Sequence, residues 1–252
     1  PLFEREALFC SRIMHIRYYL YYEGMLKEQG IVDKFDDEGI GFYTQTFDNL
    51  DYGNYNVVFV SNCTRNALTG DPSIADNLVL TYPGTLDTED YFTAVFPFTV
   101  DSENLHEYTV GLSRAHGVVR YTFNNLPEDA VAVGVTMENV GLQKWVTADY
   151  MDTFADDMRY AMIPVSRQID TDEYIMGTFP TVRNERSRLH VGLYRQDDER
   201  AYLSQMISDT LTVRRNQLLD IAITYENGTF THEIILDSSW NGSNSGGEII
   251  IQ

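Results

Sequence analysis

The sequence predicts an all-β protein made of two antiparallel β-sandwich domains in tandem. Short segments in which apolar and polar residues alternate recur along the chain, and turns rich in glycine, proline, asparagine and aspartate separate them, which is the pattern of β-sandwich proteins. One of these turns, Asn227-Gly228, is the strongest short signal for a β-hairpin. With 252 residues the chain is long enough for one large or two medium β-domains.

The stretch 107–127 divides the chain. Its apolar side chains occupy even positions before the middle and odd positions after it, at Tyr108, Val110, Leu112, Val119, Tyr121 and Phe123. Because strand side chains alternate with period two, one straight strand cannot bury both sets on the same face. The phase changes at 115–117, where Gly117 gives the backbone freedom to break. We therefore expect two strands here, and a boundary between domains 1–114 and 115–252; a single strand bent by a bulge is the alternative.

The elements of the first half follow from alternation and turn residues. A long strand is expected around 14–22, and Gly24 and Gly30 indicate a short connection after it. A second strand is expected around 40–47. The unbroken apolar run Val57–Val60 is typical of a strand that is covered on both faces. A loop at 62–77, a short strand at 78–82 and an aromatic patch at 91–98 complete this half.

The second half is regular except at 141–185. In that region Met151, Phe154, Met158 and Met162 either form one face of a short helix or belong to a long loop. Strands are expected around 131–137, 189–193 and 211–213, followed by the hairpin at 219–236. The predicted core of this half consists of Tyr121, Phe123, Val133, Val135, Val191, Ile221, Ile223 and Ile234.

The chain ends in three consecutive isoleucines, Ile249, Ile250 and Ile251, after the glycine-rich run 242–247. Three adjacent apolar side chains in a strand cannot all point to one dry face. An exposed strand of this composition would aggregate, so it must be paired. It pairs either as the last strand of the second domain or with a partner subunit, and the three isoleucines are the candidate subunit-contact residues.

Composition and missing motifs exclude several functions. The net charge of −20 repels nucleic acid and anionic lipid, so neither is an expected partner. The five histidines lack metal-ligand spacing, and no nucleophile or phosphate-loop motif is present. We therefore predict no catalytic, cofactor-binding or metal site, and no enzyme. Cys10 and Cys63 form either a disulfide or two separate buried thiols.

Several short motifs carry a family resemblance. They are Leu50–Asn62, Val110–Arg120, Asn125-Leu126-Pro127, Asn216-Gln217 and Asp237–Asn241 around Trp240. In this order they resemble the fimbrillin superfamily of Bacteroidales, and within it the fimbrial anchor proteins. The resemblance spans most of 40–252. It implies two tandem transthyretin-like β-sandwiches, export, a lipidated cysteine on the outer membrane and a role in surface fimbriae.

The resemblance also sets the functional expectation. We expect a non-catalytic surface protein of the outer membrane, a fimbrial anchor or minor subunit that binds other fimbrial subunits by β-strand addition. The sequence lacks a lipobox cysteine, so the lipidated residue is expected upstream of Pro1. The alternatives are a fimbrial stalk subunit or tip adhesin, and a carbohydrate-binding β-sandwich that uses Trp145 and Trp240.

Overall fold

The computed structural model describes residues 13–33, 42–63, 67–81, 91–141, 143–147, 158–165, 172–178, 180–181, 185–237 and 245–252. Within these ranges the chain forms 18 β-strands and one short 3-10 turn at Ala75–Asn77. The described residues contain no α-helix. The all-β class predicted from alternation and turn spacing is therefore confirmed.

Eight strands precede the junction predicted at 115–117. They are β1 (Ile16–Tyr22), β2 (Met25–Val32), β3 (Phe42–Gln45), β4 (Gly53–Ser61), β5 (Leu68–Thr69), β6 (Val79–Thr81), β7 (Phe92–Val100) and β8 (Tyr108–Arg114). Gly30, which was expected to belong to a connection, lies inside β2 instead, opposite Tyr18.

Ten strands follow the junction. They are β9 (Gly117–Asn124), β10 (Ala132–Glu138), β11 (Gln143–Trp145), β12 (Met158–Pro164), β13 (Asp172–Thr178), β14 (Ser187–Tyr194), β15 (Leu203–Leu211), β16 (Leu218–Glu226), β17 (Thr229–Asp237) and β18 (Ser245–Ile251).

The largest sheet has seven strands in the order β2-β1-β4-β7-β8-β18-β3. Among the described residues, β7 and β8 pair only at Phe92 with Arg114 and at Thr93 with Ser113. The sheet therefore divides at this point into a layer of four strands and a layer of three. Side chains of both layers share one apolar core, which includes Leu20, Val57, Phe98, Val110, Leu112, Ile249 and Ile251.

A three-stranded sheet, β11-β6-β5, covers the other face of β1 and β4. The cluster between them includes Tyr19, Tyr21, Val58, Val60, Leu78, Leu80 and Val146. In β4, Val57 and Phe59 therefore face the first core while Val58 and Val60 face this second one. The prediction that the run Val57–Val60 is covered on both faces is confirmed.

Burial of Tyr21 in this cluster makes the folded protein less stable at alkaline pH. Burial raises the pKa of the Tyr21 hydroxyl to about 12, and the nearby Tyr19, Asp71 and Asp76 add to the shift. The hydroxyl donates to the carbonyl oxygen of Pro72 at 2.9 Å. In the unfolded chain this tyrosine titrates at about pH 10, so the unfolded state loses the hydroxyl proton at a lower pH than the folded state does. The free energy of unfolding therefore falls as the pH rises from about 10 to about 12.

We expect Tyr21→Phe to make the free energy of unfolding less dependent on pH between about 10 and about 12. The measurement is urea unfolding of the parent and the variant at several pH values between about 9 and about 12. Below about pH 10 the variant should differ from the parent only by the lost hydrogen bond, roughly 0.5–1.5 kcal/mol. An unchanged pH slope in the variant would show that Tyr21 does not contribute to it.

The second half contains two facing sheets of four strands, β12-β10-β14-β15 and β13-β9-β16-β17. Buried side chains of both sheets form a single core, among them Tyr121, Phe123, Val133, Val135, Val191, Ile221 and Ile223. Most neighbouring strands are antiparallel, but β9 and β16 run parallel, and so do β3 and β18. The expectation of a purely antiparallel sandwich is therefore wrong at these two pairs.

The hairpin predicted at Asn227-Gly228 is confirmed. β16 and β17 pair antiparallel from Glu226 with Thr229 to Leu218 with Asp237. Asn227 and Gly228 have φ angles of 51° and 86°, which is the left-handed conformation that a two-residue type I′ turn requires. This turn fixes the register of the whole hairpin.

Ile234 is the one predicted core residue that the structure leaves outside the core. It is 38% exposed, whereas Ile223 is 0% exposed. Ile234 lies opposite Ile221 on the inner face of the sheet, but β17 is the last strand of its sheet, and the core covers it at Phe230 and not at Ile234. Alternation identified the face correctly and could not indicate where the covering layer ends.

Ile223→Ala and Ile234→Ala therefore form a matched pair. Ile223→Ala should lower the free energy of unfolding by about 2–5 kcal/mol, because it leaves a cavity in a closed core. Ile234→Ala should cost much less, since its side chain is already partly in water. Chemical unfolding of both variants tests this, and equal losses would show that the core also covers β17 at Ile234.

The predicted break after Arg114 is confirmed, because β8 and β9 are separate strands in different sheets. Segments of both halves that lie next to strands hold the turn between them. The Ala115 N–H donates to the Tyr91 carbonyl at 2.7 Å, and the Asn216 N–H donates to the His116 carbonyl at 2.8 Å. Ala115 and His116 are almost completely buried. A division into domains 1–114 and 115–252 stays a prediction.

Two strands from after the junction lie in sheets of the first half. β11 pairs with β6, with Trp145 opposite Val79. β18 lies between β8 and β3. The expectation that the last strand pairs inside the second domain is therefore wrong.

The stretch 141–185, in which Met151, Phe154, Met158 and Met162 are predicted to form one face of a short helix or to belong to a long loop, contains strands instead. Met158 and Met162 lie in β12, which pairs with β10 over seven residues. Ala161 and Ile163 are buried, whereas Met162 is 39% exposed, so the burial period is two rather than 3.6. The remaining residues of the predicted helix face, within 151–157, are outside the described residues.

Candidate subunit-contact site

The last strand completes a sheet that is otherwise built from residues far away in sequence. β18 pairs antiparallel with β8, with Ile249 opposite Val110 and Ile251 opposite Tyr108. On its other side it pairs parallel with β3. β18 is the only described strand that pairs with β3. The strands β8 and β3 do not pair with each other, and β18 fills the position between them. We call this position the slot.

The three isoleucines divide between two faces, as period-two alternation requires. Ile249 and Ile251 are 0% and 2% exposed and belong to the first core. Ile250 is half-buried and points to the opposite face. Burying a side chain of this size contributes roughly 1.5–3 kcal/mol. The slot therefore holds the strand by two buried side chains in addition to backbone hydrogen bonds.

Gln252 anchors the end of the strand. Its carbonyl accepts a hydrogen bond from the Phe47 N–H at 2.7 Å, and its own N–H donates to the Gln45 carbonyl at 3.0 Å. Its side-chain amide donates to a Glu107 carboxylate oxygen at 2.9 Å. Sequence reasoning missed these residues, because a strand pattern shows which residues share a face but not which distant strand is the neighbour.

A row of aromatic rings crosses the sheet and ends at this strand. Tyr22 lies 5.0 Å from Tyr55, Tyr55 stacks on Phe98 at 5.2 Å, and Phe98 lies 5.5 Å from Tyr108. Tyr108 is opposite Ile251. Aromatic pairs of this kind each contribute about 0.5–1.5 kcal/mol beyond their buried area. The row gives the slot a rigid wall on the side of β8.

Tyr18, in β1, contacts the segment that follows β3. The Tyr18 ring lies edge-on to Phe47 at 5.6 Å. Burial raises the pKa of Tyr18 to about 12, and a hydrogen bond to Glu28 and the charges of Glu28 and Tyr43 add to the shift. The hydroxyl donates to Glu28 at 2.7 Å. The Tyr18 hydroxyl therefore stays protonated until the pH approaches about 12.

The arrangement binds a strand, and the described residues give no evidence of other chemistry. No group of three or more His, Cys, Asp or Glu side chains within them is placed to hold a metal ion. Their only helical segment is the 3-10 turn, and no helix in the described ranges has the length and apolarity to cross a membrane.

The remaining residues singled out by the sequence lie elsewhere. Trp145 is half-buried in β11, and Trp240 is outside the described residues. Cys63 is buried just after β4. Cys10 is outside the described residues, so both predicted states of the cysteines stay open.

The fold is shared with solved bacterial surface proteins. A candidate adhesin from Bacteroides thetaiotaomicron matches with a TM-score of 0.64 and 11% identity, over 92% of this chain and 90% of that chain. The fimbrial anchor protein Mfa2 from Porphyromonas gingivalis matches with a TM-score of 0.53 and 12% identity, over 90% and 89%. A fimbrial assembly protein from Parabacteroides distasonis matches with a TM-score of 0.52 and 10% identity, over 93% and 94%.

Neither a protein-family model nor a curated protein matches the sequence. At identities near 10% the structural matches establish a shared fold. The resemblance predicted from short motifs is confirmed at that level, because the neighbours include fimbrial proteins of Bacteroidales. The matches extend along nearly the whole chain, so the likeness includes both halves.

Proposed function

We propose that the chain is a non-catalytic subunit of a surface fimbria, an anchor or a minor subunit, and that it contacts other subunits by β-strand addition at the slot between β8 and β3. The strand that fills this slot comes from the far end of the chain. The slot is therefore filled by a segment that is remote in sequence from its two neighbours, and a strand from another subunit can form the same backbone hydrogen bonds.

The observation that carries the proposal is the position of β18. An ordinary last strand pairs beside the strand that precedes it in the chain, because sequential strands are usually neighbours. Here β17 lies in a sheet of the second half, and β18 lies in the sheet of the first half. A strand that occupies the slot needs apolar side chains at only two alternate positions, those of Ile249 and Ile251.

The structural neighbours support this role. Their descriptions include a fimbrial anchor and a fimbrial assembly protein. The same proposal includes the finer architecture, two transthyretin-like β-sandwich domains that meet at 114/115. It also includes placement on the outer membrane through a lipidated cysteine, which the mass of the native N-terminal peptide tests.

A disulfide that locks β18 in place tests the proposal. Thr109 and Ile250 are opposite each other in the β8–β18 pair, and opposed antiparallel residues lie within disulfide range. The variant Thr109→Cys with Ile250→Cys should fold normally when oxidised. In the bacterium that makes this protein, the locked chain should not be incorporated into fimbriae, and reduction should restore incorporation.

The control is a disulfide in the same sheet that leaves β18 free. Asn54 and Thr99 are opposed in β4 and β7, so Asn54→Cys with Thr99→Cys adds a cross-link without closing the slot. This variant should be incorporated like the parent. Normal incorporation of the oxidised 109–250 variant would contradict strand addition at this slot. Absence of the parent chain from purified fimbriae and outer membranes would contradict the fimbrial role itself.

A further inference from the structure

In the part of the second half that the structure describes, β17 forms one edge of its sheet. Among the strands that the structure describes, β17 has one neighbour, β16, and is the last strand of the sheet β13-β9-β16-β17. Its side chains from Thr231 to Leu236 are all exposed. Edge strands of natural proteins are commonly blunted by lysine, proline or a bulge. The sequence of β17, TFTHEIILD, contains no lysine or proline, and its pairing with β16 has no register shift.

The register of the hairpin shows which backbone groups face outward. Thr229 and Glu226 flank the two-residue turn, so they exchange hydrogen bonds with each other, and every second residue after Thr229 also bonds to β16. The residues between them direct their N–H and C=O groups away from β16. These residues are Phe230, His232, Ile234 and Leu236.

The first of these outward-facing positions is occupied by a side chain that imitates a strand. The Phe230 N–H donates to the Gln205 side-chain oxygen at 2.8 Å, and the Gln205 amide nitrogen donates to the Phe230 carbonyl at 3.0 Å. Two bonds to one residue are what an antiparallel neighbour would make at that position. A carboxamide of the protein itself thus shows that this edge accepts a peptide group in strand geometry.

From His232 to Leu236 no residue that the structure describes makes a comparable pair of hydrogen bonds to this edge, and the strand carries exposed apolar side chains. Ile234, Ile235 and Leu236 are 38%, 53% and 53% exposed. Ile234 and Leu236 point to the inner face and Ile235 to the outer face, because side chains alternate. The exposed apolar side chains therefore lie on both faces of β17. A strand added at this edge would cover both sets, whereas a partner that packed on one face would cover only one.

Charge decides between a second copy and another protein. The chain has a net charge of −20, so two copies repel each other at close approach. The exposed acids Glu226 and Glu233 lie on the hairpin itself. A partner with lysine or arginine beside its strand would be attracted, and attraction between opposite surfaces increases both the rate and the specificity of association.

We propose that this edge of β17 binds an extended strand of a different protein, with apolar residues at alternate positions and basic residues at its ends. The strand continues the sheet from His232 to Leu236, next to the position already filled by Gln205. This contact is separate from the slot of β18 and does not depend on it. The added strand belongs to a protein of opposite charge rather than to a second copy of this chain.

The test uses the full-length protein and a synthetic peptide of alternating isoleucine and threonine with lysine at each end. Binding is followed by fluorescence anisotropy, and amide hydrogen exchange locates it. We expect the peptide to slow exchange at His232, Ile234 and Leu236. The same peptide with glutamate ends should bind more weakly, and the difference should shrink as salt is added.

Two variants separate backbone pairing from a merely apolar surface. Ile234→Pro removes an outward N–H that makes no bond within the sheet, a position where an edge strand tolerates proline, and it should weaken binding by about tenfold or more. Ile234→Thr keeps the N–H and should weaken binding much less. A peptide with N-methylated amides keeps its side chains and should not bind, and this arm needs no variant to fold.

Equal binding by Ile234→Pro and the parent, or binding of the N-methylated peptide, would overturn the proposal. So would equal binding of the lysine-ended and glutamate-ended peptides. Self-association of the parent chain that Ile234→Pro abolishes would show that a second copy is the occupant, and would overturn it too. The oxidised variant Thr109→Cys with Ile250→Cys, in which β18 is locked in its slot, should bind the peptide at β17 like the parent, which separates this test from that of the fimbrial role.

Discussion

Deleting residues 248–252 is expected to destabilise the first half of the molecule. The deletion removes Ile249 and Ile251 from the core and leaves β3 without the only described strand that pairs with it. A single large-to-small change in a core costs about 2–5 kcal/mol, and this deletion removes two such side chains together with the backbone between β8 and β3. We expect a loss above that range.

Hydrogen exchange identifies which half is affected. Protection should fall in β8 and β3 and persist in β10, β14 and β16, whose core does not include β18. Ile250→Ala serves as the control, because Ile250 is half-buried on the opposite face and its truncation should cost less than Ile251→Ala. Added peptide of sequence 245–252 should restore stability in proportion to its concentration, as a ligand of the folded state does.

An unchanged unfolding midpoint after the deletion would contradict this assignment of β18. Loss of protection confined to the second half would contradict it as well, and would favour the alternative in which the last strand pairs inside the second domain.

Gly117→Ala should be the most damaging single methyl addition at the junction. A Cβ at position 117 would lie 2.5 Å from the carbonyl oxygen of Arg214 and 2.7 Å from Cγ1 of Val213. The first of these is backbone in the segment that holds the turn at His116. Forcing a methyl into a packed site typically costs about 1–3 kcal/mol, and this contact cannot be relieved by a rotamer change.

The matched control is Gly111→Ala in the preceding strand. A Cβ there meets nothing within 4 Å, so this variant should be neutral or slightly more stable than the parent. Thermal and urea unfolding of both variants tests the contrast. Equal stability of the two variants would show that the turn at 115–117 is not tightly packed between the halves.

The sequence predicted local features well, because local features depend on neighbours in the chain. The change of phase between Leu112 and Val119 correctly indicated two strands, and Asn227-Gly228 correctly indicated a hairpin with its register. The apolar run Val57–Val60 correctly indicated a strand with two covered faces. In each case the period of the side chains or the demands of a turn carried the information.

The errors concern contacts between distant residues. Three adjacent isoleucines have no period, so nothing in Ile249–Ile251 indicates which sheet they join. Met158 and Met162 have helical spacing, but pairing of β12 with β10 outweighs it, since tertiary contacts routinely override weak local preference. Ile234 lies on the correct face at a place where the opposing layer has ended.

The candidate site shows the same division. Its isoleucines were identified from the sequence as a strand that must be paired. The slot that receives them is formed by β8 and β3, which are separated by about 60 residues in the chain. Gln45, Glu107 and Gln252, which anchor the strand end, belong to no motif.

The central claim is that the slot between β8 and β3 is where subunits join. A photo-crosslinking amino acid at position 109, opposite Ile250 in the strand pair, reports directly which strand lies beside β8. In the isolated chain we expect cross-links to residues 248–252 of the same molecule. In assembled fimbriae we expect cross-links to a strand of a neighbouring subunit instead. Cross-links to the chain's own last strand in both states would contradict the claim.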